Sequence, residues 1–220
     1  ESIPSSLKRA IAAGIGLLIT LIGPEYAGLV VNQPATLVQF GDVHNPHTLL
    51  ALFGLAVTLA LLALKFRGAI LCGIAATAVV GCIITAAGYP LLPFELQSYQ
   101  SLGTSTITSY VESATGVQAG GRTGLTSLVT GLLFLVALLA YPFLGIMASG
   151  VGPEGNLYPV IAPALIVVGA MMVKSLSGLD WEDPTELLPA FLAVIIMPLS
   201  VSITEGIAIG FISYSFLKLL

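Results

Sequence analysis

The chain has 220 residues, of which 56% are hydrophobic and only 8% charged, with a net charge of −4 and a mean hydropathy of +1.02. A soluble domain carries about a quarter charged residues, so lipid rather than water is the main solvent of this chain. Seven Lys and Arg make no patch for nucleic acid, and so small a net charge does not steer an acidic partner.

Glu1 stands where Met would begin a gene product, so a piece of something longer is expected. Lys8-Arg9 before an apolar run imitates a secretory leader, but more apolar runs follow and an ordinary first span is expected. That first run is Ala10 to Val31, interrupted at Gly23-Pro24-Glu25, where Pro24 should kink or end the helix. Thr48 to Leu64 and Gly68 to Ala87 are the next two. Cys72 and Cys82, about 15 Å apart on a helix, are too far apart for a disulfide. Thr104 to Ala119 is short and polar. Thr123 to Leu144 is long and clean, and Pro159 to Val173 follows. Pro189 to Ser202 and Gly206 to Leu220 form a tight pair. The runs predict about eight membrane segments, one of them irregular.

The positive-inside rule agrees. With Lys8 and Arg9 in the cytoplasm and sides alternating, Lys65, Arg67, Arg122, Lys174 and Lys218 fall on the same face. Glu25, Asp42, His44, His47, Glu95 and Glu154 fall on the other. The loops have mechanical readings. In "DWEDPTE", Asp183 suits an N-cap, Pro184 the first helical position, and Glu186 a capping box, with Trp181 at the headgroups. In "SITEG", Thr204 or Glu205 would cap the last helix. Gly14, Gly16, Gly206, Gly210 and the small residues of Gly68 to Ala87 offer faces for close helix packing.

Catalytic sets are missing from the sequence: there is no His-Glu-x-x-His and no Gly-rich loop ending in Lys-Ser/Thr. "HNPH", His44 to His47, offers two of the three or four ligands a metal site needs. Both histidines sit in one loop, far from any serine nucleophile at membrane depth. The reading therefore includes no enzyme activity, no metal and no cofactor.

That leaves "GTSTITSYVESATGVQAGGRTG", Gly103 to Gly124. Thr104 to Tyr110 is β-branched and alternating, which predicts a short extended stretch. "VESATGVQAGG" then predicts a short helix ending at Gly120-Gly121. Extended backbone at membrane depth survives only inside protein or beside a water-filled cavity, and broken spans of this kind form transporter sites. The half-helix start offers free N–H groups to a ligand. Glu112 sits at that end. A carboxylate at the bilayer centre costs about 2.5–3.5 kcal/mol on insertion scales. A desolvated Glu has a raised pKa and could carry a proton while bonding a ligand. The alternative is that Glu112 lies nearer the surface and caps the half-helix or pairs with Arg122, about 15 Å away if helical.

At these residues the sequence resembles a known family. "LGTSTITSYVESATGVQAGGRTGLTSLVTGLLFL" is similar to the adenine/guanine/hypoxanthine permeases, the azaguanine-type branch of the nucleobase–cation symporter-2 superfamily. "APALIVVGAMM", "DWEDPTELLPAFL", "EGIAIGFISYSFLKLL" and "IPSSLKRAIAAGIGLLITLIG" resemble other parts of it. The resemblance implies a fold of fourteen segments in two inverted repeats, with a core domain and a gate domain. It implies purine–proton symport by alternating access in the cell membrane. By resemblance, Glu112 matches a substrate-site acid and the proton-coupling group, Thr106, Thr108 and Ser109 match the binding strand, and Ser113 follows the acid.

Against that pattern the first four segments, the eighth and the ninth are absent, with a join within Leu91 to Gly103. The implied organisation is a first gate arm over residues 1–90, a join over 91–103, part of the core over 104–148 and a second gate arm over 159–220. The expected fold is thus an all-α polytopic membrane protein with a partial inverted-repeat transporter fold. Its partners would be a purine nucleobase, a proton, the lipid bilayer and a second copy in a homodimer. Two rival readings are a gate-domain scaffold without transport and an anion carrier of the same fold; the charge of Glu112 argues against the latter.

Overall fold

The computed structural model describes residues 4–33, 36–66, 68–89, 91–92, 116, 120–139, 150–151, 157–179 and 182–219. Seven α-helices lie within them: α1 (Ser5–Tyr26), α2 (Pro46–Ala63), α3 (Ala69–Ala86), α4 (Gly124–Leu139), α5 (Ala162–Val173), α6 (Pro184–Ser200) and α7 (Ile203–Leu219). They fall on seven of the eight predicted runs; the polar run, but for Gly116, lies outside the described residues. Among the described residues α1, α2 and α3 are long and apolar enough to cross a membrane, while α4, α5 and α6 are shorter apolar helices. The protein is thus mostly helical and built for a membrane.

Two compact units make up the chain, Glu1–Ile22 with Leu165–Leu220, and Gly23–Ala164. In the first unit the predicted small residues set the helix contacts. A Cβ on Gly210 would stand 2.9 Å from the Ala193 Cβ, and one on Gly206 would stand 3.0 Å from the Ala193 carbonyl oxygen. Those two glycines, one turn apart, let α7 lie directly on α6. Gly14 likewise meets Val194 and Met197, and Gly16 meets Gly169 and Met172 across α1 and α5. Leu7, Ala10, Ala13, Ala193 and Met197, none more than 1% exposed, form the packed centre. Filling any of these approaches with a larger side chain costs about 1–3 kcal/mol.

In the second unit α2 and α3 lock by a repeated pattern, Gly-x-x-x-Thr. Gly54 meets Thr77, and Gly73 meets Thr58. Each hydroxyl donates back to its own glycine's carbonyl, Thr58 to Gly54 and Thr77 to Gly73, both at 2.7 Å. The polar atom is thereby satisfied inside its own helix, and both threonines are buried. Thr85 repeats the bond to Gly81 and also accepts from the Leu92 N–H at 3.0 Å. Leu92 packs with Ala78 and Val160. Tyr26 and Tyr158 stack obliquely with ring centroids 4.6 Å apart, and the Tyr158 N–H bonds the Tyr26 carbonyl at 2.8 Å.

The structure corrects the sequence reading in several places. Pro24 does not end the first helix, which runs on to Tyr26. A proline in the last turn forfeits only one N–H. The helix stops at Gly28 (φ +72°), where Leu29 N–H bonds Pro24 O and Gly28 N–H bonds Glu25 O, each at 2.9 Å. That is a Schellman cap, which needs a left-handed residue after the helix. The expected all-α fold also contains a hairpin: β1 (Val30–Gln33) pairs antiparallel with β2 (Leu37–Phe40), Val30 opposite Phe40.

Asp183 caps α6 as predicted, accepting from Thr185 N–H at 2.9 Å, with Pro184 in the first helical turn. Glu186, however, turns to distant partners instead of closing a capping box. The start of α7 is served by Ser202, whose hydroxyl accepts from Glu205 N–H at 3.4 Å. It is not capped by the side chain of Thr204 or Glu205, both already inside the helix.

Candidate functional site

The predicted site residues Thr106, Thr108, Ser109, Glu112 and Ser113 lie outside the described residues, as does Trp181. The C-terminal end of their stretch is described. Gly116 is helical, Gly120 has φ +101°, and Gly121 N–H bonds Gly116 O at 2.9 Å. A left-handed glycine and a bond of this reach are two features of a Schellman closure; the predicted short helix ahead of Gly120, but for Gly116, lies outside the described residues. Arg122 is exposed, Thr123 and Thr126 bring their hydroxyls within 3.3 Å, and α4 begins at Gly124.

A second polar constellation, which sequence reasoning missed, gathers around Glu186. Ser6 on α1 donates its hydroxyl to one carboxylate oxygen. Lys218 on α7 pairs with the other at 3.0 Å, and Tyr214 donates to it at 3.3 Å. Lys218 also donates to Thr185 at 2.9 Å and stands 5.6 Å from the Tyr214 ring centroid. Nothing local in the sequence announces the group, because Ser6 and Glu186 are 180 residues apart. Pro4, Ser5, Ser6, Arg9, Gly178 and Glu186 line a cavity of about 290 Å³ beside it.

This carboxylate accepts from an ammonium and two hydroxyls, which ties α1, α6 and α7 together. Next to it, Asp183 is held below the usual carboxylate range, first by the Thr185 hydroxyl and then by the Thr185 N–H.

The histidine pair is divided in its bonding. His44 is exposed and stands 3.6 Å from Asp42, while the His47 Nδ1 is buried and has no hydrogen-bond partner among the described residues. Among the described residues no group of three or more His, Cys, Asp or Glu could hold a metal ion. Cys72 and Cys82 are both free thiols.

No protein-family model matches the chain. Curated proteins do match over nearly all of it. The guanine/hypoxanthine permease PbuG of Bacillus subtilis is 34% identical over 97% of the chain and 63% of its own length. PbuO of the same organism, also a guanine/hypoxanthine permease, is 31% identical over 99% of the chain and 66% of its own length. The adenine permease AdeP of Escherichia coli is 32% identical over 99% of the chain and 62% of its own length. The chain therefore spans less than two thirds of each of these relatives, all of which are named permeases rather than enzymes.

Proposed function

Because this chain belongs by sequence to the nucleobase permease family, we propose that it is part of a purine nucleobase transporter working as a proton symporter by alternating access. The observation that carries the reading is a match over 97–99% of the chain to permeases named for adenine, guanine and hypoxanthine. The polar, glycine-broken stretch is where such a transporter would hold its substrate. A purine presents N–H donors and ring-nitrogen acceptors, which suit a carboxylate and hydroxyls. Glu112 contacts the purine and carries the proton, Thr106, Thr108 and Ser109 form the binding strand, and Ser113 supports the acid. The Schellman features at Gly120 support a short half-helix there. The roughly eight segments, the partial inverted repeat and a cell-membrane location with Lys and Arg loops in the cytoplasm belong to the same proposal.

The chain is an incomplete form of that transporter in this reading. Its alignment to PbuG runs over 285 positions, more than the chain's own 220 residues, which supports an internal gap. The first arm of the gate would then be residues 1–90, the core remnant 104–148 and the second arm 159–220. The test is purine uptake by a permease-deficient strain carrying the full parental gene with Glu112→Gln. Uptake should be lost, and normal uptake would remove Glu112 from the mechanism. The rival reading, a scaffold that does not transport, is favoured by the exposure of every described side chain from Gly124 to Val136 on α4. Thermal stabilisation of the 220-residue chain by millimolar hypoxanthine separates the two: a shift supports a purine site, and no shift supports the scaffold.

A further inference from the structure

The β1–β2 hairpin has a surface that its place in the chain explains. It sits between the end of α1 at Tyr26 and the start of α2 at Pro46, two helices long and apolar enough to cross a membrane. Both ends of the connection therefore lie at one membrane boundary. The base of the hairpin is fixed there. Gly41 N–H bonds Leu29 O at 2.9 Å, directly after the cap at Gly28, and a Cβ on Gly41 would run into the Gly28 carbonyl. Strands of four residues are about 13 Å long, so Gln33 and Leu37 at their far end stay near the helix ends. The polar zone on each side of the hydrocarbon is about 5–8 Å thick, and a tilted hairpin of this size stays within it.

The composition of the hairpin fits that zone and not open water. Between Glu25 and Asp42 there is no charged residue. Phe40 is 84% exposed, Leu37 69% and Val38 48%. The pairing register puts Val30, Asn32, Val38 and Phe40 on one face. A bare two-stranded hairpin is marginal in water, and soluble edge strands are protected by charge or cover; this one has no charged residue on either strand. Apolar side chains at the boundary of headgroup and acyl chain bury about 5–10 Å deep.

We propose that the β1–β2 hairpin is a lipid-interface anchor, lying against phospholipid with Phe40 and Val38 inserted among the upper acyl carbons. It fixes the depth of the α1–α2 connection. The inference rests on α1 and α2 crossing the membrane, not on the purine reading.

The test is a single-tryptophan reporter, Phe40→Trp in a Trp181→Phe background, with the chain reconstituted in phosphatidylcholine vesicles. Emission should be blue-shifted and quenched by lipid brominated near the headgroup end of its chains, since the face lies at that depth, while aqueous iodide quenches little. Val38→Trp, on the same face, should behave alike and guards against one substitution disturbing the hairpin. Red-shifted emission quenched by iodide and not by brominated lipid would overturn the proposal. So would emission shielded from both quenchers, which would mean that protein, either a second copy of the chain or another partner, covers the face.

Discussion

The α2–α3 pair and α4 are similarly apolar, yet one is interlocked and the other is bare. In the pair, Gly54 and Gly73 each receive a threonine of the facing helix, and Gly81 receives Leu50 and Leu92. On α4, Gly124 and Gly131 have nothing among the described residues within 4 Å of where a Cβ would stand, and Leu125, Leu133 and Phe134 are all more than 60% exposed. Small residues in an apolar helix therefore do not create a contact by themselves. They permit one where a partner supplies a side chain of matching size. Within lipid, where apolar surface gains little by leaving its solvent, fit of this kind drives association.

The largest expected effect tests this contrast at two helix ends. Gly28 and Gly120 both cap in the left-handed region, at φ +72° and +101°. Gly28 also faces Thr48, since a Cβ would stand 2.7 Å from its hydroxyl oxygen, whereas Gly120 faces nothing among the described residues. Gly28→Ala should cost about 2–5 kcal/mol, summing backbone strain and overpacking. Gly120→Ala should cost only the strain, about 1–2 kcal/mol. Unfolding midpoints in detergent measure both, and equal losses would show that a neighbour packs on Gly120.

The next pair should differ in sign. Gly54→Ala forces Thr77 away and should destabilise by about 1–3 kcal/mol. Gly131→Ala, in open surroundings, should stabilise by up to about 1 kcal/mol through helix propensity alone. A loss at Gly131 would break the comparison by revealing a partner for α4.

The smallest effect sharpens the comparison from the solvated side, at the cap of α6. Asp183 has a lowered pKa, so its contribution is complete above the pKa of the unfolded chain. It is lost as the pH falls through the lower folded-state value. Asp183→Asn, which still caps but does not titrate, should flatten the acid side of a stability–pH profile. An unchanged profile would remove Asp183 from acid sensitivity.

The contrast also separates what was legible in the sequence from what was not. Apolar runs located the helices because lipid-soluble length is a property of local composition. Asp183-Pro184 was readable because a cap involves residues only a few positions apart. Gly206 and Gly210 were readable as a small face, and Ala193 and Met197 occupy it. The hairpin was not readable. "VVNQPATLVQF" has the apolar content of a span's tail, and its alternation of faces does not follow hydrophobicity, since Asn32 shares a face with Phe40. Pro24 misled because a breaker signal carries no information about which turn of the helix it occupies. Glu186 misled because its partners, Ser6 and Lys218, come from distant segments, while the sequence offered a plausible local bond. The Gly-x-x-x-Thr units at Gly54, Gly73 and Gly81 were in plain view. They could have been found by asking which side chain would fill each small face.

Those units act as a vernier. Along α3 the order is Gly73, Thr77, Gly81, Thr85, one per turn, and α2 presents Gly54 and Thr58. Sliding the pair by four residues, about 6 Å, would set Gly54 against Gly81 and Thr58 against Thr77, a gap beside a collision. A slide of eight residues, about 12 Å, is the first that again sets glycine against threonine at both positions. Small slips are therefore closed to this pair, and α2 and α3 are held in a single register.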